Sequence, residues 1–252
     1  MKVSDVLKTR EVQKVESGIK DKERVKNHGE VFTPANIVND MTDMADKSLI
    51  ADVLGHELDT EKTGEDYVSY AVSLMDADML KNYLNKTFLE PSAGNGNFLV
   101  EILQRKLIIV KKLMQLDKAN TSKYVLWAFS KIYGIDILSD NVEEAQTRMI
   151  NVLLKNNDIV ESLDETERDA KNFKKCLAFI LNKNIICGDT LNKKYISNQE
   201  PIEIYDWQFN SSDNLKVKQS YFNDDTILEE EAYDGSYTKL YDATVEFDAY
   251  NF

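Results

Sequence analysis

The chain has 252 residues, enough for one substantial hydrophobic core, and 42% of them are hydrophobic. Its two cysteines, Cys176 and Cys187, form neither a metal-binding pattern nor a disulfide framework, and its two histidines are too few for a histidine-based metal centre. No apolar run approaches the roughly 20 residues of a membrane span, and the N-terminus lacks the apolar core of a signal peptide. We therefore expect a cytoplasmic protein with no metal site and no membrane partner.

The acidity of the chain is concentrated at its C-terminal end. The formal net charge is -13, and residues 200–252 hold 13 acidic and 3 basic residues, which leaves -3 for the first 199 residues. Duplex DNA is normally held by many phosphate contacts from lysine and arginine. The chain alone is therefore poorly supplied for holding DNA, although residues 1–28 are mildly basic.

The N-terminal part is predicted to be a polar arm followed by helices. Residues 1–28 are polar and form the predicted arm. After Pro34, which is well tolerated in the first turn of a helix, Ile37, Met41 and Met44 recur at helical spacing. A further helical segment follows, so we expect a small helical preface before the first strand.

The central part alternates predicted strands and helices. Strands are predicted at residues 87–90, 132–137 and 185–187, and helices at residues 98–116, 124–130, 140–155 and 164–182. Such alternation predicts an α/β protein whose parallel sheet has helices on both faces. Ligands of such sheets bind beyond the carboxyl ends of the strands.

The most informative run is a glycine turn between a predicted strand and a helix, residues 90–98, which read EPSAGNGNF. Gly94 and Gly96 allow the backbone to turn sharply and let a ligand approach the main chain. A helix that begins near Asn97 directs its free N–H groups and positive dipole end towards that ligand. Glu90, just before the turn, suits an ammonium or hydroxyl group better than a phosphate. The run predicts a site for a cationic or hydroxylated ligand, and an ordinary strand-to-helix turn is the alternative.

Four segments, in this order, resemble the cofactor motifs of adenine-specific DNA methyltransferases, which use S-adenosyl-L-methionine. They are GEVFTP at residues 29–34, EPSAGNGNF at 90–98, IYGIDI at 132–137 and IICGD at 185–189. Together they cover roughly residues 27–191, about two-thirds of the chain. The resemblance implies a Rossmann-like methyltransferase domain over residues 29–222, from a restriction-modification system, followed by an acidic tail over residues 223–252.

The resemblance also implies which residues bind the cofactor. In the family, the upstream Phe-Thr-Pro closes over the methionine end, the acid after the second strand holds the ribose hydroxyls, and the acid after the third strand meets the adenine amine. The corresponding residues here are Phe32, Thr33, Pro34, Glu90, Pro91, Ser92, Gly94, Gly96, Asn97, Phe98, Asp136, Ile137 and Asp189. Simpler readings stay open: Thr33, Asp136 and Asp189 could cap helices or turns, and Glu90 could organise the loop.

The catalytic motif of this family is missing in its recognisable form. Those enzymes carry Asn or Asp followed by Pro-Pro and an aromatic residue, which grips the flipped adenine and receives its amine. The chain has 3 prolines, and no two of them are adjacent. The candidates for a degenerate version are Asp206, Trp207 and Phe209, although a plain strand explains their alternation equally well.

The C-terminal part is predicted to contain a β-hairpin and a tail. Residues 201–209 and 215–222 alternate with period two and are joined by a turn-like segment, which is typical of a hairpin. From residue 223 onwards the sequence is acidic and tyrosine-rich, and we expect a partly ordered tail there.

Three functions remain open. The first is an S-adenosyl-L-methionine-binding protein of the adenine methyltransferase type, which reaches DNA through a complex and needs a recognition or catalytic partner subunit. The second is a non-catalytic cofactor-binding or structural subunit of a restriction or phage-defence complex. The third is an acidic protein that mimics DNA and blocks other enzymes.

Overall fold

The computed structural model describes residues 21–166, 170–209, 215–222 and 227–231. This part is an α/β protein with a four-stranded, mostly parallel sheet and a small antiparallel sheet. The helices are α1 (Lys22–His28), α2 (Ala35–Leu54), α3 (Gly64–Leu74), α4 (Ala77–Leu84), α5 (Asn97–Leu116), α6 (Thr121–Ser130), α7 (Ser139–Lys155), α8 (Asn157–Thr166) and α9 (Ala170–Asn184). The strands are β1 (Phe88–Glu90), β2 (Ile132–Asp136), β3 (Ile185–Asp189), β4 (Lys194–Tyr195), β5 (Glu203–Phe209), β6 (Leu215–Tyr221) and β7 (Ile227–Glu231). No helix within these ranges is long and apolar enough to span a membrane.

The main sheet has the order β1-β2-β3-β4, with β1, β2 and β3 parallel and β4 antiparallel to β3. The three predicted strands are therefore confirmed as neighbours in one parallel sheet. Their carboxyl ends, at Glu90, Asp136 and Asp189, lie at the same edge of the sheet. One face of the sheet packs against α5, whose Leu99, Leu103 and Leu107 are buried.

Part of the second face of the sheet is covered by the C-terminal segment, which the sequence-based expectation did not include. Ile135 of β2 and Ile186 of β3 pack against Ile202, which directly precedes β5. The Tyr133 hydroxyl of β2 donates to the main-chain carbonyl of Tyr205 in β5. The C-terminal segment therefore acts as the second layer of the core.

The predicted hairpin is confirmed, and it forms part of a three-stranded sheet. Strands β5 and β6 pair antiparallel over their full lengths, and β7 pairs with β6 on the other side. Strand β7 lies in the stretch from residue 223 onwards that was predicted to be a tail; the rest of that tail, residues 223–226 and 232–252, lies outside the described residues. Residues 1–20 of the predicted arm also lie outside the described residues, and α1 forms the remainder.

Two predicted helices differ from the structure. The single helix predicted over residues 164–182 is replaced by α8 and α9, and α8 buries Ile159 and Leu163. Helix α2 forms where it was predicted, but Ile37, Met41 and Met44 are 42%, 53% and 74% exposed. The core-facing side of α2 combines the aliphatic Val38, Ile50 and Val53 with buried polar residues. The acids among these polar residues bind an arginine that is buried in α5.

That arginine is Arg105, which is only 1% exposed. Its guanidinium donates to Asp43 and Asp46 of α2 at 2.6 and 2.8 Å, and to Glu101 of α5 at 2.7 Å. The hydroxyl of the buried Tyr83 in α4 donates to Asp46 as well. A buried arginine needs such partners, because an unpaired buried charge is costly. The cluster fixes the helical preface to the glycine-turn helix.

Candidate functional site

The glycine turn adopts the conformation that its sequence requires. Gly94 and Gly96 have φ angles of 52° and 86°, in the left-handed region that favours glycine. The N–H of Gly96 donates to the Ala93 carbonyl at 2.9 Å, and α5 begins at the next residue. No side chain of the described residues caps this helix end. Its positive dipole end therefore stays available to a ligand.

Asp136 binds the glycine turn directly. Its Oδ2 accepts from the N–H of Gly94 at 2.8 Å, and its Oδ1 accepts from the N–H of Leu138 at 2.9 Å and from Asn141 Nδ2 at 3.2 Å. The side chain is largely buried, and a carboxylate offers about four acceptor positions. Asp136 therefore holds the loop in shape, and only part of its hydrogen-bond acceptor capacity remains for ribose hydroxyls.

The upstream segment lies against the same turn. The Asn97 Nδ2 atom donates to the Thr33 carbonyl at 2.9 Å. A Cβ atom added to Gly94 would lie 3.1 Å from Cδ1 of Phe32, whose buried ring packs on this glycine. Pro34, not Thr33, occupies the N-cap position of α2. The helix-cap reading of Thr33 is therefore wrong, and its main chain anchors the start of α5.

A network that the sequence reasoning missed supports this arrangement. Glu30, which is 8% exposed, accepts from Asn141 Nδ2 at 2.7 Å, so Asn141 bridges Glu30 and Asp136. Arg24 of α1 donates to both carboxylate oxygens of Glu30 at 2.6 Å and to Asp140 at 2.7 Å. These two acids raise the pKa of the Arg24 guanidinium further above its ordinary value. An acid two residues before Phe-Thr-Pro was the only sequence signal for this network.

Helix α7 holds the other side of the glycine turn. Asn95 Nδ2 donates to Glu144 at 3.0 Å, and Arg148 Nη1 donates to the Asn95 carbonyl at 2.7 Å. A Cβ atom on Gly96 would lie 2.7 Å from the Cβ of Ala145, so this glycine is needed for close helix packing rather than for room beside a ligand. The buried Oδ1 of Asn95 has no hydrogen-bond partner among the described residues.

The other two acids of the site serve mainly their own turns. Glu90 Oε1 accepts from the N–H of Ser92 at 3.1 Å; burial raises the pKa of Glu90, and this bond opposes the rise. Asp189 accepts from the N–H of Leu191 at 2.9 Å and from the main chain and side chain of Asn192 at 3.0 and 2.7 Å. The Asn192 bonds hold the pKa of Asp189 below its ordinary value. These contacts match the loop-organising and turn-capping readings of the two acids.

The remaining predicted residues lie at the same end of the sheet. The Pro91 carbonyl accepts from Thr190 Oγ1 at 2.6 Å, which ties the turn after β3 to the turn after β1. Ser92 is exposed in the glycine turn, Phe98 is half-buried in α5, and Ile137 is 43% exposed just after β2. All thirteen predicted cofactor residues therefore belong to the four segments that meet at this edge.

The three catalytic candidates are not brought to this site. Trp207 is fully buried, and its Nε1 donates to Asn184 Oδ1 at 2.8 Å. Lys131 lies 3.5 Å from Asp206 and also donates to the Trp207 carbonyl. Asn184 and Lys131 directly precede β3 and β2, so these residues mark the amino ends of the strands. Phe209 is the last residue of β5. Strand β5 therefore serves packing, at the opposite end from Glu90 and Asp136.

A surface groove of about 590 Å³ lies beside β3, between α7 and the small antiparallel sheet. Its walls include Gln146, Lys183, Tyr195 and Tyr221, and none of the thirteen predicted cofactor residues lines it. The groove is therefore separate from the glycine turn. Among the described residues, no group of three or more His, Cys, Asp and Glu side chains is arranged to hold a metal ion.

Comparisons with known proteins add no family to this geometry. No protein-family model, curated protein or solved structure matches the chain. Inferences about its function therefore depend on the four segments and on the contacts that join them.

Proposed function

We propose that this chain is a Rossmann-like, S-adenosyl-L-methionine-binding protein of the adenine-specific DNA methyltransferase type, from a restriction-modification system, and that it needs a partner for catalysis. The observation that carries the proposal is the meeting of four distant segments at one end of a parallel sheet. Phe32 packs on Gly94, Thr33 is bonded to Asn97, and Asp136 is bonded to Gly94. The resemblance depends on the residues and the order of the four motifs, and these contacts support it independently.

The donor and acceptor groups of the site fit the proposed ligand. S-adenosyl-L-methionine carries a positive sulfonium, an ammonium, a carboxylate and two ribose hydroxyls, and the sulfonium methyl is the group that it supplies for transfer. The half-buried Glu90 favours the positive charges, and the uncapped start of α5 favours the carboxylate. Asp136 would share its remaining acceptor capacity with a ribose hydroxyl. The buried Oδ1 of Asn95 is an acceptor that still lacks a donor.

The second candidate is a non-catalytic cofactor-binding subunit, and one specific observation favours it. Asp206 and Trp207 lie at the amino ends of the strands, bonded to Lys131 and Asn184. No adjacent prolines exist to aim acceptors at an adenine amine. The described residues around the glycine turn thus offer cofactor contacts without a group that resembles the family's catalytic motif.

Calorimetry tests the shared part of both candidates. S-adenosyl-L-methionine and its demethylated product should both bind, because their amino-acid and ribose groups are the same. ATP should bind far more weakly, because its phosphates would meet Glu90 instead of a positive charge. No heat from either methionine-derived ligand at millimolar concentration would disprove cofactor binding. Transfer of labelled methyl groups to DNA, with and without candidate partner subunits, then separates the two candidates.

A further inference from the structure

An arginine of helix α7 holds the peptide unit that leads into α5. Arg148 Nη1 donates to the main-chain carbonyl of Asn95 at 2.7 Å, and the N–H of Gly96, in the same peptide unit, donates to the Ala93 carbonyl at 2.9 Å. Both polar ends of the Asn95–Gly96 peptide are therefore bonded. The two bonds form a chain from the guanidinium through this peptide to the turn, and the members of such a chain polarise one another.

The arginine bonds to the main chain although the same residue has a side-chain acceptor. Asn95 is 6% exposed, and its Nδ2 donates to Glu144 at 3.0 Å, whereas its buried Oδ1 has no donor among the described residues. A buried acceptor without a donor costs free energy. The fold accepts that cost and directs the guanidinium to the carbonyl, so the direction of the carbonyl is what Arg148 secures.

This carbonyl lies where its direction matters for a ligand. Asn95 stands between Gly94 and Gly96, whose φ angles are 52° and 86°, and glycine adopts either sign of φ at little cost. Steric limits of the chain alone therefore do not fix the peptide units of the turn. A carbonyl oxygen carries a partial negative charge. If it were unpaired beside the start of α5, it would weaken the positive potential that the helix offers to a ligand.

The guanidinium of Arg148 is also partly withdrawn from water. Arg148 is half-buried, and burial lowers the pKa of its guanidinium, an effect that Glu144 opposes. A charge acts more strongly on its neighbours where water is excluded. Glu144 carries the opposite charge, but it bonds to the side chain of Asn95, whereas Arg148 bonds to the main chain that continues into α5. A positive charge is thus coupled directly to the start of this helix.

We propose that Arg148 is a positioning residue that gives the site its preference for a ligand with a carboxylate. It holds the Asn95 carbonyl towards α7 and couples its own charge to the start of α5. The inference rests on the proposed function, in which the uncapped start of α5 favours the carboxylate of S-adenosyl-L-methionine. Arg148 acts through the Asn95–Gly96 peptide and does not need to touch the ligand.

The test compares S-adenosyl-L-methionine with its decarboxylated form, which differs from it only by the loss of the carboxylate. In calorimetry on the whole chain, the unmutated protein should bind the intact ligand more tightly by about tenfold or more. Arg148→Met should reduce that preference to about threefold or less, mainly by weakening the intact ligand. Lys155→Met is the matched control and should keep the preference, because it removes the same charge from an exposed site about two turns farther along α7.

A purely structural role of Arg148 gives a different result. Arg148→Met would then weaken both ligands alike, or neither, and the unchanged preference would overturn the inference. If circular dichroism shows that this variant does not fold, Arg148→Lys, which keeps the charge, should retain more of the preference than Arg148→Gln, and an equal loss in the two overturns the inference as well. If the unmutated chain binds both ligands equally, cofactor binding stands and only this inference falls; if it binds neither, the proposed function falls with it.

Discussion

The main-chain N–H of Gly94 donates to Oδ2 of Asp136 at 2.8 Å, and this bond joins the turns after β1 and β2. One carboxylate thus fixes the shape of the glycine turn from the neighbouring strand. The same carboxylate was expected to bind the ribose hydroxyls of the cofactor. Cofactor affinity and loop geometry should therefore depend on Asp136 together.

We expect Asp136→Asn to affect both cofactor affinity and the stability of the loop. The amide would turn an N–H₂ group towards one of the N–H donors of Gly94 and Leu138, so a buried bond to a charged group is lost. The free energy of unfolding should fall by about 1.5–3 kcal/mol, and affinity for S-adenosyl-L-methionine should fall by about tenfold or more. Urea unfolding and calorimetry measure the two effects. A loss of stability with unchanged affinity would show that Asp136 is only a structural residue.

The second prediction concerns Gly94. An alanine there would be strained at a φ of 52°, and its Cβ would press on the Phe32 ring at 3.1 Å. Gly94→Ala should weaken cofactor binding by about tenfold or more, because the ring and the turn must move apart. Gly64→Ala is the matched control, since Gly64 has a φ of 58° and open space around its Cα. Equal affinity of the two variants in calorimetry would contradict a role for the Phe32–Gly94 contact.

Much of this site was predictable because it depends on local patterns. Glycines before a helix predict a turn, and acids at the ends of predicted strands predict one shared edge, as found for Glu90 and Asp136. The partners of these acids were not predictable. Asn141 contacts Glu30, and Arg24 contacts Asp140, through long-range packing that leaves no periodic signal.

Helix α2 shows why pattern alone was insufficient for the rest. The apolar residues Ile37, Met41 and Met44 recur at helical spacing, yet they face solvent. Apolar residues of a helix usually face the core, but the charge of the buried Arg105 needs Asp43 and Asp46 on the inner side of α2. A sequence shows a helical period readily, but which face lies inside depends on the partner helix.

The third prediction tests this buried cluster. Arg105→Met should lower the free energy of unfolding by about 3–5 kcal/mol, because it leaves Asp43, Asp46 and Glu101 without their shared cation. Lys86→Met is the control: its ion pair with Asp52 spans 2.6 Å, but the two side chains are 25% and 67% exposed. That change should cost at most about 1 kcal/mol. Similar urea midpoints for the two variants would contradict a structural role for the cluster.

The fourth prediction concerns Lys106, which is 1% exposed and donates to the carbonyls of Leu84 and Lys86 at 2.8 and 2.7 Å. Burial lowers its pKa to about 7 in the folded protein, against about 10.4 in an unfolded chain. Between these values the unfolded state binds more protons, so stability should rise with pH. Below about pH 7 Lys106 is protonated in both the folded and the unfolded state. The free energy of unfolding is then lowered by the full cost of burying the charge.

Urea unfolding of the unmutated protein and of Lys106→Met at several pH values measures this effect. The difference in the free energy of unfolding should move in favour of lysine between pH 7 and 10, by up to about 1.4 kcal/mol per pH unit. The variant is its own control, because all other titrating groups are shared. A constant difference across this range would show that the Lys106 ammonium stays charged in the fold.

The fifth prediction concerns catalysis: the purified chain alone should not methylate DNA at a useful rate. Methyl transfer to adenine needs acceptors aimed at the amine, and the loss of such aimed groups commonly costs about 10²–10³ in rate. Asp206 and Trp207 cannot supply them from their present positions, because Lys131 and Asn184 hold them at the amino ends of the strands. The chain also has a net charge of -13, which opposes binding to phosphates.

The measurement is incubation with mixed-sequence duplex DNA and labelled S-adenosyl-L-methionine. We expect background incorporation, with no difference between the unmutated chain and Asp206→Ala. Because Asp206 is only half-buried and its partner Lys131 has a second acceptor in the Trp207 carbonyl, this variant should stay folded. Robust incorporation that Asp206→Ala abolishes would mean that β5 moves to the cofactor end and carries the catalytic motif. Incorporation that appears only when a partner chain is added would instead agree with a catalytic group supplied by that partner.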